Sequence, residues 1–342
     1  MKKGITSSLI PQNVAPPNVK QIAIFDSNGN KVCDIPLGHL QIPQLGTKLY
    51  SFGALSDVHM TYDTAEADFQ KALTYLNNTE NVDFITVCGD LTERGIDSQM
   101  AIYKGIAETS KVPIYEIAGN HESYAEDWTQ NGEAEVVRLM QTYTGRPLHY
   151  SFTQGDDVFI MVGVCSDYAV FGTGGLQWLY ETLEANRNKR CFVFQHIRPD
   201  DSCGNAFGIY KNDIWGGNQS VVFENLLKHY RNVIFFHGHS HLKLSLQTRG
   251  NLANYDNKYG MHSIHIPSLV SPRTGNLDGT GRTELYAESE GYVVDVYENH
   301  IVVRGRDFVN DECIPIAQYC LETKLVNIQA NTFTDSTGTI TT

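Results

Sequence analysis

Apolar positions along this chain follow two alternating rhythms. Short apolar or β-branched runs predict strands at Leu49–Leu55, Asp83–Cys88, Pro113–Ala118, Tyr150–Thr153, Val158–Val164, Cys191–Gln195, Val233–Phe236 and Ser263–Ile266. Between them, apolar residues recur every three or four positions. That spacing predicts amphipathic helices over Thr64–Asn77, Asp97–Thr109, Glu133–Tyr143, Leu176–Asn186 and Ser220–Tyr230. In the first helix Asp63 precedes Glu66 at a capping-box spacing, and Phe69, Ala72, Leu73 and Leu76 share one face. Two late strands, Tyr292–Tyr297 and Ile301–Arg306, are joined by Glu298-Asn299-His300. Strand–helix alternation of this kind predicts an α/β architecture.

The flanks read differently. Residues 1–20 are rich in Pro, Asn, Gln and Ser and lack periodicity. Residues 21–36 read as a β-hairpin, because Asp26-Ser27-Asn28-Gly29-Asn30 separates two apolar runs. Pro36, Gly38, Pro43 and Gly46 then mark a linker. The expected organisation is an N-terminal extension over 1–46, a main domain over 47–310 and a C-terminal tail over 311–342, frayed from Asn331. No internal repeat is visible.

Composition narrows the function classes. The 342 residues are 41% hydrophobic and 11% aromatic, which excludes a disordered chain. A net charge of −13, from 26 Lys+Arg against 39 Asp+Glu, argues against long nucleic acid as the main partner. The densest apolar run, Val158–Cys165, is too short to span a bilayer. No basic amphipathic helix suggests membrane docking. Met1–Ile10 has two lysines but no sustained apolar stretch, so no secretory signal is read and a cytoplasmic location is expected. The seven cysteines are scattered and include no CxxC. Cys88, Cys165 and Cys191 are expected as buried thiols, and Cys313 with Cys320 as a pair that an oxidising compartment would allow.

The candidate chemistry lies where polar residues meet strand ends. Asp57-Val58-His59 follows the first main strand and Gly89-Asp90 the second. Gly119-Asn120-His121-Glu122 follows the third, His196 the sixth, and His237-Gly238-His239-Ser240-His241 the seventh. In α/β sheets ligands bind beyond the carboxyl ends of strands, so one shared pocket is expected. Imidazole and carboxylate or amide donors without thiolate suit Mn, Fe, Zn, Ni or Co. On extended backbone, Asp57 with His59 and His239 with His241 would each point to one side. Seven donors exceed one ion and suit two that share a carboxylate. Asp-x-His and Gly-Asp carry little information alone. Gly-Asn-His-Glu and Gly-His-x-His each arise by chance in roughly one chain in a hundred or fewer, and here all five motifs occur in order.

From Asp57 to His241 this arrangement resembles the calcineurin-like metallophosphoesterase family. The resemblance implies a four-layer α/β/β/α sandwich of two mixed β-sheets flanked by helices. It implies that Asp57, His59 and His241 bind one metal, that Asn120, His196 and His239 bind a second, and that Asp90 bridges them. The metals would be Mn, Fe or Zn, and hydrolysis would use a hydroxide held between them. Asp90 and His121 would be catalytic, with His121 donating a proton to the leaving group and not binding metal. Asn120, His121 and Arg198 would contact substrate. Two divalent ions less two carboxylates and a hydroxide leave about +1, which attracts a phosphoester despite the acidic chain. The chain departs from the purple acid phosphatase branch. Glu93 stands three residues after Asp90 and no Tyr follows Gly-Asp, so a Tyr–metal bond is not expected.

Each residue also has a plainer reading. Asp57 and Asp90 suit helix or turn caps, Asn120 suits a turn, and His196 suits an ordinary loop. His237 reads as a packed histidine or a partner of a ligand, and His262 and His265 as core or surface histidines. Arg94 and Arg198 suit either a phosphate or the surface. Tyr62 suits either pocket or core packing, and the loop residues Trp128 and Trp215 suit either stacking on a base or sugar or plain packing. The function expected first is a dinuclear metal phosphoesterase acting on a small phosphoester, a nucleotide among the candidates, with diesters favoured. The alternatives are a phosphomonoesterase, or a binding or adhesion module with a structural metal site and residues 1–46 as anchor. Structural zinc sites are closed and thiolate-rich, which weighs against the last. Substrate choice is expected in loops Glu122–Glu133, Asp167–Gly175, Pro199–Gln219, Thr248–Tyr259 and Ser271–Glu288.

Overall fold

Alternation along the strands decides the layering. In the computed structural model, Tyr50, Phe52 and Ala54 face one way from the first long strand of the main domain, while Leu55 joins the opposite cluster. The structure describes residues 45–323 except 168, 200–202, 205–217, 231, 247–253, 258–260, 276–281 and 286. It also describes the backbone of 21–25, 31–36, 334–335 and 338–339.

Strands β1 (Gln21–Phe25) and β2 (Lys31–Pro36) pair antiparallel, as the hairpin reading predicts; the turn itself lies outside the described residues. The chain then runs through β3 (Lys48–Leu55), α1 (Ala65–Tyr75), β4 (Phe84–Cys88), α2 (Asp97–Ala107), β5 (Ile114–Ile117) and α3 (Glu133–Tyr143). A second stretch holds β6 (His149–Gln154), β7 (Asp157–Val162), α4 (Gly175–Ala185), β8 (Cys191–Gln195), α5 (Asn218–His229), β9 (Val233–His237), β10 (Tyr255–Asp256) and β11 (His262–His265). A short pair, β12 (Arg273–Gly275) and β13 (Arg282–Glu284), leads to β14 (Glu290–Tyr297), β15 (His300–Asp307) and β16 (Glu312–Glu322). The first large sheet has the order β16-β15-β14-β3-β4-β5 and the second β10-β11-β9-β8-β7-β6. Both are mixed: β3, β4 and β5 run parallel in one, and β7, β8, β9 and β11 in the other.

Three cores follow from this order. Phe69, Leu73, Met100, Leu139 and Met140 of α1, α2 and α3 cover the outer face of the first sheet. Leu179, Leu183, Phe223 and Leu227 of α4 and α5 cover the second. Between the sheets lies an aromatic seam of Phe52, Phe84, Phe159, Phe192, Phe194 and Phe236. Two sheets flanked by helices are the four-layer sandwich expected. Among the described residues no helix is long and apolar enough to cross a membrane.

Three expectations need correction. The tail read from residue 311 is, over Glu312–Glu322, an edge strand paired antiparallel with β15. Its half-exposed side chains and Pro315 hide the alternation that marks a strand, and edge strands tolerate both features. Cys313 and Cys320 both lie on this one strand as free thiols. Seven residues of extended chain put them roughly 20 Å apart, beyond disulfide reach. Helix α1 is capped at Thr64 with no side-chain cap hydrogen bond, so the Asp63–Glu66 box does not form.

The seam should carry much of the stability. The Phe159 ring centroid lies 5.4, 5.1, 4.8 and 4.6 Å from those of Phe52, Phe84, Phe152 and Phe192. Phe159→Ala is expected to lower the unfolding free energy by about 3–5 kcal/mol in a urea titration. A loss below about 1 kcal/mol would show that the sheets do not depend on this ring.

Candidate metal centre

The parallel strands β3, β4, β5, β8 and β9 all end at one edge of the sandwich, and their loops are tied together by backbone hydrogen bonds. Asp57 N donates to Gly89 O (3.0 Å), His59 N to Asp90 O (3.0 Å) and Gly238 N to His196 O (3.0 Å). Two side chains add ties: Asp57 Oδ2 accepts from His239 N at 3.1 Å, and Asp90 Oδ1 accepts from His121 N at 2.9 Å.

The backbone here is not extended, contrary to the expectation for the two i, i+2 pairs. Asp57 (φ 53°), His59 (φ 43°), Asp90 (φ 50°), His239 (φ 72°) and His241 (φ 57°) all occupy the left-handed region. Each costs on the order of 1–3 kcal/mol and persists only where surroundings enforce it. Close approach is enforced by glycine. A Cβ on Gly119 would lie 2.2 Å from Asp90 Oδ1, and one on Gly238 would lie 2.0 Å from Ser56 Oγ.

The structure brings all seven proposed donors into this one buried cluster. Asp57, His59, Asp90 and His241 form one group with ligand atoms within 4.8 Å of each other. Asp90, His196 and His239 form a second, sharing Asp90. Asn120 Oδ1 joins the second through His239 Nδ1, 3.0 Å away.

Hydrogen bonds fix which imidazole atoms face inward. His59 Nδ1 donates to Glu93 Oε2 (2.9 Å) and His196 Nδ1 to Cys88 O (2.6 Å), while His241 Nδ1 lies 2.9 Å from Ser271 Oγ and 3.2 Å from Ser271 O. The carboxylate of Glu93 and the carbonyl of Cys88 have no proton to give, so in the neutral rings of His59 and His196 the lone pair is on Nε2. The Nε2 atoms of His59 and His241 then face each other at 3.0 Å. His241 Nε2 is 2.9 Å from Asp57 Oδ1, and His196 Nε2 is 3.0 Å from Asp90 Oδ2. Despite those short distances, Asp57 Oδ1 and His196 Nε2 are buried without a hydrogen bond of acceptable geometry. Acceptors converging on shared volumes without protons between them fit cations, and N/O donors without thiolate fit first-row divalent metals.

Electrostatics agree. Burial would raise the Asp57 carboxyl, but His241 and His196 hold it well below the usual range. Burial also opposes Asp90 ionisation, and His196 with His121 overcomes it. Burial disfavours a charged His196, yet Asp90 and Asp57 lift it to about 9. His241 falls to about 4 through burial and the Arg273 guanidinium, against the pull of Asp57. His121 is raised despite burial by Asp90 and Glu93; its Nδ1 donates to Glu93 O at 2.8 Å and its Nε2 lies 3.9 Å from Asp90 Oδ2.

Several supporting residues had no role in the sequence reading. Glu122 Oε1 accepts from Thr92 N (2.9 Å) and Oε2 from Gly119 N (2.7 Å), joining two motif loops. Behind the last loop, Asn254 Nδ2 donates to Lys243 O (3.0 Å), which turns Oδ1 toward His265 Nδ1 (2.7 Å). His265 Nε2 must then accept from Ser240 Oγ (2.8 Å), the residue between His239 and His241. Glu93 and Ser240 sit inside the motifs and were open to notice. Asn254, His265, Ser271 and Arg273 come from distant segments with no spacing signal. His237 is a buried, packed histidine, stacked on Phe235 at 5.2 Å and 3.5 Å from Cys203 Sγ. Tyr62 stacks on His59 at 5.2 Å. Arg198 is buried, donates to Pro199 O, and acts on His237 and His265 through its charge. Trp215 lies outside the described residues.

A sequence model described as calcineurin-like phosphoesterase matches residues 50–243. Solved structures with a similar fold include GAP50, described as the anchor in the inner membrane complex of Plasmodium. It has 14% identity and a TM-score of 0.53, with 85% of this chain and 99% of that chain covered. A conserved Streptococcus pneumoniae protein described as a predicted phosphoesterase has 14% identity and a TM-score of 0.39, with 80% and 97% covered. Vacuolar Protein Sorting 29 from Cryptosporidium parvum has 11% identity and a TM-score of 0.37, with 81% and 98% covered. At these identities the likeness is one of fold. No curated protein matches the sequence.

Two measurements follow from this geometry. Without a cation, His196 carries a proton up to about pH 9, and a cation must displace it. Mn2+ binding near pH 7.5 should therefore release protons and weaken toward acid, so the observed calorimetric enthalpies should differ between Hepes and Tris, whose ionisation heats differ; equal observed enthalpies in the two buffers would refute it. His265→Ala should loosen the His239–His241 turn and lower Mn2+ affinity about 10–100-fold in chelator competition. Unchanged affinity would remove that bracing role.

Proposed function

Since the chain belongs to the calcineurin-like phosphoesterase family, we propose that it hydrolyses phosphoester bonds with two divalent metal ions, diesters preferred. Asp57, His59 and His241 would hold one ion and Asn120, His196 and His239 the other, with Asp90 shared by the two groups. The observation that carries this reading is the convergence of the Asp, His and Asn donors on two groups that share Asp90, with His59 Nδ1 and His196 Nδ1 turned away to Glu93 and Cys88. When bound, a metal pair supplies Lewis acidity and a nucleophile at neutral pH.

The chain's own residues do the rest. Glu93 fixes the orientation of the His59 ring. The Glu93 carbonyl holds His121 Nδ1–H, so His121 Nε2 is the atom that carries a proton toward a departing alkoxide. Burial of Asp57, Asp90, His196 and His241 keeps bulk water off the donor atoms. Arg94 and Arg198 are the guanidinium groups nearest in sequence to the donors. Arg94 lies beside Trp128 at the His121 side, which favours it over the buried Arg198 as the phosphate contact. A non-catalytic anchor role with a structural metal has less support, because the donor set is of nitrogen and oxygen atoms and lacks thiolate.

The test is turnover of bis(p-nitrophenyl) phosphate and p-nitrophenyl phosphate by Mn2+-loaded protein. Diester turnover should exceed monoester turnover, and Asp90→Asn should lower kcat/KM by at least about a hundredfold. Absence of turnover of both esters in protein shown to hold two ions would overturn the catalytic reading.

A further inference from the structure

We propose that Trp128 is a specificity-determining residue that stacks on a planar aromatic group of the substrate beside His121. The inference rests on the phosphoesterase reading above and adds a substrate class to it.

Trp128 is held at the tip of a tight loop. Tyr124 and Gln130 bridge antiparallel across its base. Asn131 N donates to Ser123 O (2.6 Å), Ala125 N to Thr129 O (2.7 Å) and Trp128 N to Ala125 O (3.0 Å). Asp127 Oδ1 accepts from Thr129 N (3.1 Å) and Thr129 Oγ1 (2.6 Å). The loop forces Trp128 to φ 66°, a region that bulky residues rarely adopt. It also leaves the residue 48% exposed, where an indole forgoes much of the burial that usually stabilises it. Strain and exposure thus coincide on one aromatic side chain.

Its position gives that coincidence a use. The indole centroid is 6.1 Å from the His121 ring, and the His121 ring is 4.5 Å from that of His59. One imidazole therefore separates the indole from the metal centre, on the side assigned to the leaving group. Arg94 Cζ lies 4.6 Å over the indole, with Nη1 donating to Glu126 O, and Tyr124 stands 5.6 Å away. The guanidinium covers one face of an indole that stays half exposed, and together the two groups match a phosphate joined to a flat ring. Aryl and nucleoside esters share that chemistry and differ in reach, because ribose separates base from phosphorus.

The experiment measures calorimetric Kd values of Mn2+-loaded protein for phenylphosphonate, adenosine 5′-monophosphate and methylphosphonate, in wild type, Trp128→Ala and Trp128→Phe. At least one aromatic ligand should bind more tightly than methylphosphonate. Trp128→Ala should shrink that ratio at least about fivefold, and Trp128→Phe should keep most of it. Loss for phenylphosphonate alone assigns an aryl group, and loss for the nucleotide alone assigns a nucleoside. A ratio unmoved by Trp128→Ala, or moved equally by Trp128→Phe, overturns the inference and leaves Trp128 as a packing partner of Arg94. Because these are binding ratios, they fail independently of ester turnover, which tests the phosphoesterase reading itself.

Discussion

Two carboxylates, Asp57 and Asp90, are buried at the meeting edge of two sheets, and the rest of the centre is organised around that constraint. Buried charge is costly unless it is paired or coordinates metal. Here the nearest groups are imidazoles, and those of His59 and His196 have their Nδ1 protons committed elsewhere. Asp90 therefore faces a His196 ring that is lifted to about 9 and holds a proton at neutral pH, and a cation would take the place of that proton. The lift of His196 to about 9 is the apo protein's substitute for that cation.

Holding such a cluster needs a rigid frame. The aromatic seam between the sheets and the helix-covered outer faces supply it. On that frame five donor residues keep left-handed backbone angles, and glycines at 119 and 238 leave no room for a side chain between the loops. Local strain and global packing are thus two sides of one design: the core enforces angles that the loops would not adopt alone. Glu122 and the Asn254–His265–Ser240 chain extend that enforcement into the loops.

Around the buried centre the chemistry becomes less constrained and more particular to this chain. Tyr62, Tyr124, Trp128 and Arg94 surround His59 and His121. Substrate choice is proposed to lie in such loops, because they tolerate change more readily than the elements they connect. The exposed indole of Trp128 stands 6.1 Å from the His121 ring.

The strand and helix rhythm, the placement of Asp, Asn and His directly after strands, and the seven donors were legible in the sequence. Each depends on local periodicity or on residues close in the chain. Edge strand β16 was not legible, because half-exposed side chains and Pro315 blur its period. Nor was the separation of Cys313 from Cys320, which only a shared strand reveals. The left-handed angles at Asp57 and His239 overturned an extended reading, since backbone conformation there is imposed by contacts between loops distant in sequence. His265, Asn254, Ser271 and Arg273 belong to the site through contacts that no spacing encodes. The sequence by itself determined which atoms could bind metal. Tertiary structure decided which nitrogen of each histidine faces inward, because that depends on the acceptor packed behind each ring.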